Sequence, residues 1–311
     1  MIMDYLFLVV ALALVVVGAM LLTDGSVALA RRMHIPEFIV GLTIVAVGTS
    51  MPEFTVSMIS AVEGHGDMAI GNVVGSNIAN TLLILGVCAL FSPVLFTKNN
   101  IKRDVPINLG ASVMLLLVAS TSALIGRIEG IILLVAYVAM ILFSIRSERK
   151  AMAEPKEEDT KGDMSALRIV VWIVAGLAAL IYGGDMFVDS ATNIALAWGV
   201  SEAVIAITLV AVGTSLPELA TNIASIAKGN ASLALGNVLG SNIANILLIL
   251  GACSTVTPLS MGGVSMMDIY VVVATAVVLL LFAIFWGDKR ITRIEGLLLL
   301  AFYAVYVYSL L

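Results

Sequence analysis

The sequence predicts an all-α membrane protein: ten transmembrane helices arranged as two inverted five-helix repeats. Three observations predict it. Hydrophobic residues make up 61% of the chain and charged residues only 12%, against about 25% charged in ordinary soluble domains; the mean hydropathy is +1.11. Adding 165 to the residue number aligns 35–93 with 200–258 without a gap, with 29 identities in 59 positions. Finally, all but Arg127 of the 16 Lys and Arg residues fall on one side of the membrane if the N-terminus lies outside, as the positive-inside rule requires.

Taken in order, ten stretches reach the length of about 20 apolar residues that a span needs: 4–30, 36–61, 68–92, 103–124, 128–146, 166–195, 201–227, 233–257, 267–286 and 292–311. The first is too long for the apolar region of a cleavable signal peptide and has no basic segment before it, so it is expected to belong to the fold. Residues 1–146 form the first five-helix repeat. The polar segment SERKAMAEPKEEDTKGDMSA at 147–166 reads as a cytoplasmic linker, and 167–311 as the second repeat. Five is odd, so the second repeat enters the membrane the opposite way round, and both termini lie outside. RIEG at 127–130 and RIEG at 293–296 then fall on opposite sides. The outer loops carry Glu63, Asp67, Glu129 and Asp268. Cys88 and Cys253 occupy matching positions in apolar helices and are expected to be packing residues.

The second and third spans of each repeat carry the chemistry. AVGTSMPE at Ala46–Glu53 returns as AVGTSLPE at Ala211–Glu218. A charged side chain at bilayer depth costs about 2.5–3.5 kcal/mol on insertion scales, so an intramembrane carboxylate marks a functional site by default. Pro52 and Pro217 precede the two Glu residues, and a proline inside a helix pushes away the carbonyl four residues earlier, here that of Gly48 or Gly213. Thr49 and Glu53 share a helix face, as do Thr214 and Glu218. GNVVGSNIAN at 71–80 returns as GNVLGSNIAN at 236–245. Asn72, Ser76 and Asn80 lie on one face, as do Asn237, Ser241 and Asn245. These faces serve either hydrogen bonding between helices or ligation, and Gly71, Gly75 and Gly86, with Gly236, Gly240 and Gly251, suit close helix packing.

Among these polar faces there is no Cys or His, so soft metals fit poorly, and no Lys or Arg, so anions fit poorly. Oxygen ligands suit hard cations, and Ca2+ takes about 6–8 of them. Two carboxylates balance one Ca2+, and several Na+ can use the same oxygens. Competition for one ligand set is a physical basis for exchange.

At these residues the sequence resembles the sodium/calcium exchanger family, prokaryotic type, within the cation/calcium exchanger superfamily. The GTSMPE and GNVVGSNIAN motifs look like the family's first α-repeat, GTSLPE and GNVLGSNIAN like its second. The resemblance implies ions held between helices 2, 3, 7 and 8. Glu53 and Glu218 would be the central ligands, and Thr49 and Thr214 would add oxygens. The carbonyls of Ala46 and Ala211 would help bind Na+, with Ser50, Ser76, Asn80, Ser215, Ser241 and Asn245 completing the sites. Helices 1 and 6 would move against this core, with Asp24, Asp185 and Asp189 as interfacial anchors. Some relatives have Asp where this chain has Asn245, which argues against a potassium requirement here.

The expected function is therefore that of a secondary active antiporter exchanging Na+ for Ca2+ by alternating access, electrogenic if three or more Na+ are exchanged for one Ca2+. A Ca2+/H+ antiporter using the same paired Glu is the alternative, and a cation channel a more distant one. The expected protein is no enzyme and has no cofactor. Its partners are the transported ions (Ca2+ and Na+, or H+) and the lipid bilayer, with no nucleic acid. It is expected to be a monomer in the cell (inner) membrane.

Overall fold

The structure, a computed structural model, describes residues 2–121, 124–151, 164–198, 211–285 and 289–310. The apolar stretches form α1 (Ile2–Met33), α2 (Glu37–Thr49), α3 (Met51–Val62), α4 (Gly66–Phe91) and α5 (Asn100–Ser120), then α6 (Arg127–Ala151) and α7 (Ala166–Ala197). The short α8 (Ala211–Thr214) and α9 (Leu216–Ala227) follow, and α10 (Ala231–Val256), α11 (Met266–Phe285) and α12 (Arg293–Leu310) complete the chain. Among the described residues eight helices are long and apolar enough to cross a membrane, and α2 with α3, bent by 47°, makes a ninth. Of the expected span 201–227, residues 201–210, with Glu202 and Thr208, lie outside the described residues. So do 152–163 of the linker, with Lys156 and Lys161.

The second span departs from the single helix expected over 36–61. It stops at Thr49 and restarts at Met51, with Ser50 between at φ −82 and ψ 11. Pro52 therefore sits in the first turn of α3, where its missing N–H costs nothing because that position has no intrahelical acceptor. The same break separates α8 from α9 at Ser215, at φ −86 and ψ 3.

Among the described residues the most buried of the eight long spans are α10 and α4, with 94% and 78% of their apolar windows buried, whereas α12 has 17%. The polar motifs thus occupy the centre and the outer helices face lipid. Glycines set the spacing. A Cβ at Gly236 would lie 2.3 Å from Phe38 O, and one at Gly240 2.4 Å from Leu42 O, so α10 touches the α2 backbone as the small-residue spacing led one to expect, whereas Gly71 and Gly75, expected to pack in the same way, have nothing within 4 Å of their Cβ positions. Along the α1–α7 contact, Cβ atoms at Gly18 and Gly176 would lie 2.8 Å and 2.7 Å from backbone atoms of the opposite helix. In two further contacts one repeat embraces the other: Gly130 on α6 meets Gly251 O on α10, and Gly296 on α12 meets Gly86 O on α4, both 2.8 Å from the Cβ position.

Among the described residues, four two-residue strands lie in the loops: β1 (Val94–Leu95), β2 (Leu124–Ile125), β3 (Leu259–Ser260) and β4 (Arg290–Ile291). β1 pairs antiparallel with β4, Val94 opposite Ile291, and β2 with β3, Ile125 opposite Leu259. Each ribbon takes one strand from either side of the linker, and the ribbons lie at opposite ends of α5. Gly64 and Gly229 match in the repeat and both turn at positive φ, +87° and +79°, where a side chain would be strained. Cys88 and Cys253 are free and buried, in keeping with a packing role.

Candidate functional site

The two helix breaks deliver the two carboxylates. Ser50 and Glu53, and again Ser215 and Glu218, have the S-x-x-E spacing of a capping box, in which the side chains would satisfy the first N–H groups of the helix. Neither serine caps its helix. Ser50 Oγ instead donates across the repeats to Glu218 Oε1 at 3.1 Å. Glu53 and Glu218 are only 1% and 2% exposed.

Ala46, Thr49 and the second repeat converge. Thr49 Oγ1 lies 3.4 Å from Ala46 O and 3.3 Å from Asn237 Oδ1. Ser241 Oγ lies 3.5 Å from Ala46 O and from Asn237 Oδ1. Asn80 opens a π-helical turn, Asn80–Ile84, and Asn245 lies in another, Ala244–Ile249; such turns are frequent at functional sites. Asn245 Nδ2 donates to Asn77 Oδ1 at 3.1 Å, leaving its own oxygen free. Ser76 and Ser215 are buried within the same motifs. Thr214 is half-buried, and Ala211 begins α8.

Four oxygens of this set are buried without a hydrogen-bond partner: Glu53 Oε2, Glu218 Oε2, Asn80 Oδ1 and Asn245 Oδ1. An unsatisfied buried acceptor costs about 1–3 kcal/mol, and more if charged. Each is an acceptor facing no donor, the chemistry of a hard-cation site. No group of three or more His, Cys, Asp and Glu that could hold a metal occurs among the described residues, so neutral oxygens must supply the rest of any shell.

Several contributors escaped the sequence reading. Asn77 Nδ2 donates to Asn242 O at 3.2 Å, and Asn242 Nδ2 to Thr81 Oγ1 at 2.8 Å, which ties α4 to α10 where their motifs cross. Both asparagines sit in the repeated GSNIAN, one residue after the serine, so the repetition itself was the available signal. Asn72 turns to α3, where its Nδ2 donates to Ser57 Oγ at 2.9 Å and Glu53 O at 3.2 Å. Asp24 pairs with Lys228 at 2.5 Å, an anchor between α1 and the end of α9, while Asp185 and Asp189 are exposed. Apolar side chains of α7 cover both breaks: Leu177 lies against Gly48 and Val188 against Gly213.

A family profile described as "Sodium/calcium exchanger protein" matches residues 3–146 and 168–311. The chain is 36% identical over 317 residues to the putative antiporter CaxA of Alkalimonas amylolytica, covering 100% of this chain and 99% of that one. It is 32% identical over 346 residues to the sodium/calcium exchanger MaX1 of Methanosarcina acetivorans, covering 98% and 97%. A solved structure of the sodium-calcium exchanger NCX_Mj, soaked with zero Na+ and Ca2+, matches with TM-score 0.87 at 31% identity over 100% of this chain and 99% of that one.

Proposed function

The chain belongs to the sodium/calcium exchanger family, and from that premise we propose that it is a secondary active antiporter exchanging Na+ for Ca2+ across the membrane by alternating access. The observation that carries this reading is the pair Glu53 and Glu218. Matching positions of two repeats each bury a carboxylate oxygen with no protein donor, and both lie where helices break. One Ca2+ neutralises the pair, and Na+ ions do so together. Thr49, Ser50, Ser76, Asn80 and the Ala46 carbonyl, with Thr214, Ser215, Ser241, Asn245 and the Ala211 carbonyl, supply the neutral oxygens. Empty, the pair carries charge that opposes reorientation across an apolar barrier; a bound cation removes that charge, so transport is coupled to occupancy.

The architecture that serves this is ten transmembrane helices in two inverted repeats, 1–146 and 167–311, joined by the cytoplasmic linker 147–166. This is a recurring plan in secondary transporters. The chain works as a monomer in the cell's inner membrane with both termini outside. The strand exchange between halves and the lopsided distribution of Lys and Arg support this arrangement. Leu177 and Val188 lie 11 residues apart on α7, about 16 Å along a helix, so one shift of α7 with α1 changes the cover of both breaks. Three or more Na+ per Ca2+ would make the cycle electrogenic, each net charge being worth about 2.3 kcal/mol per 100 mV.

The test is Ca2+ uptake into vesicles reconstituted with the protein and driven by an outward Na+ gradient. Uptake is expected with wild type and abolished by Glu53→Gln or Glu218→Gln. Variants that transport as well as wild type would refute the assignment of these ligands. Proton exchange by the same carboxylates is the competing reading, because their unpartnered oxygens can equally hold protons; Ca2+ movement driven by a pH gradient without Na+ would establish it.

A further inference from the structure

One helical turn beyond the central carboxylates, the two repeats differ. Ser57 follows Glu53 by four residues and Asn222 follows Glu218 by four. In the first repeat this position is closed, because Asn72 Nδ2 donates to Ser57 Oγ at 2.9 Å and to Glu53 O at 3.2 Å. The equivalent pair in the second repeat is Asn222 and Asn237, and the closure is not made. Asn222 Oδ1, Asn222 Nδ2, Asn237 Nδ2 and Thr221 Oγ1 all lack a partner, in residues no more than 1% exposed. The Asn237 oxygen is engaged elsewhere, 3.3 Å from Thr49 Oγ1 and 3.5 Å from Ser241 Oγ. Polar groups this deeply buried are seldom left without a partner. Nothing in the first repeat corresponds to Thr221, whose place is taken there by the exposed Val56.

We propose that Thr221 and Asn222 on α9, with Asn237 on α10, form a second station for the transported cation, on the cytoplasmic side of Glu218, where Na+ or Ca2+ sits with part of its hydration shell. The chemistry of the free atoms sets that ligand. Asn222 Oδ1 and Thr221 Oγ1 can ligate a cation. The amide Nδ2 groups cannot, but they donate to the oxygen of a water bound to it. Glu218, Thr221, Asn222 and Ser225 share one face of α9, all of them buried. The line ends where α1 closes over it: Thr23 Oγ1 lies 3.3 Å from Ser225 Oγ, and Lys228 Nζ reaches Asp24 at 2.5 Å and Met20 O at 3.1 Å. The cytoplasmic placement rests on the proposed function and orientation. The station itself rests on the unpartnered atoms.

Two measurements on the reconstituted full-length protein test it. Asn222→Ser rebuilds the first-repeat pair and so keeps the fold. It should lose about tenfold in apparent Ca2+ affinity at the cytoplasmic face, the loss of one ligand oxygen, while affinity at the outer face stays unchanged. Asn222→Cys, in a protein also carrying Cys88→Ala and Cys253→Ala so that no native thiol reports, should react with a membrane-impermeant thiol reagent from the cytoplasmic face when the path past α1 opens, more slowly when Ca2+ or Na+ is added. Equal affinity losses at both faces, no loss at either, or labelling indifferent to both cations would overturn the station. The labelling needs no transport, so a protein without Na+-driven Ca2+ flux would refute the exchange reading while ion protection still decides the station.

Discussion

Gly240→Ala is a perturbation whose size can be worked from the packing of α10 on α2. The new Cβ would sit 2.4 Å from Leu42 O, 2.7 Å from Leu42 Cα and 2.7 Å from Ala46 Cβ. Real Cβ atoms do not approach closer than 3.0 Å, so α2 must retreat by at least about 0.6 Å, the difference between 3.0 and 2.4 Å. The three atoms nearest to it are backbone and a methyl group, and none of them can swing aside. The retreat carries away the Ala46 carbonyl and Thr49, which lie against Ser241 and Asn237 at 3.5 Å and 3.3 Å. Overpacking costs about 1–3 kcal/mol, and the better helix propensity of alanine returns about 1 kcal/mol, so stability should fall by up to about 2 kcal/mol. Ion affinity should suffer more, because misplacing a reacting group by about 1 Å can cost about a hundredfold; a Ca2+ affinity loss of about tenfold or greater is expected. Thermal melting of the purified protein and the Ca2+ dependence of uptake measure the two effects. Gly110→Ala is the control, since nothing lies within 4 Å of its Cβ position, and it should melt no lower than wild type. A Gly240→Ala protein indistinguishable from wild type in both assays would show that the close approach of α2 and α10 does not position the site.

Three further substitutions probe the polar network. Ser50→Ala removes the donor 3.1 Å from Glu218 Oε1; a bond to a charged acceptor is worth about 1.5–3 kcal/mol, so melting should fall in cation-free buffer, and the rise in melting on adding Ca2+ should be smaller than in wild type because an ion ligand is lost as well. A Ca2+-induced rise equal to that of wild type would contradict Ser50 as a ligand. Asn245→Asp turns the donor to Asn77 Oδ1, 3.1 Å away, into an acceptor and adds a third carboxylate. The cation-free protein should lose about 1–3 kcal/mol and gain more from added Na+ or Ca2+ than wild type does, as melting with and without cations would reveal. Lys228→Met releases α1 from the end of α9. The pair is 25% and 39% exposed, so stability should change by less than about 1 kcal/mol. The distance distribution between spin labels on α1 and α9 should nevertheless broaden towards longer values, and an unchanged distribution would show that the tether is idle.

Much of this organisation was legible because it was written twice. The repeated octapeptide marked both carboxylates, the repeated Asn/Ser face marked the neighbouring oxygens, and the small-residue spacing at Gly236 and Gly240 marked the helix contact. The break at Ser50 was harder to read. Proline before Glu suggests a kink within one helix, whereas the chain stops, turns and starts again with Pro52 in the first turn. A linear pattern also could not say which partner each polar group takes. Ser50 has the spacing to cap its own helix and reaches Glu218 instead. Asn72 has the spacing to join Ser76 and Asn80 and turns to Ser57. Asp24 and Lys228 lie more than two hundred residues apart, and only the packing of α1 on α9 brings them together. These choices depend on which helices become neighbours, and helical periodicity records a face without naming its partner.

The exchanged ribbons have a consequence for how the chain endures damage. β1 needs β4 and β2 needs β3, so each of these four strands finds its mate across the divide, at one end of α5 or the other. A protease that nicked the polar stretch at 152–163 would sever the only covalent thread joining the halves. The two fragments would remain zipped together by main-chain hydrogen bonds and by helices clasped through Gly86, Gly130, Gly251 and Gly296.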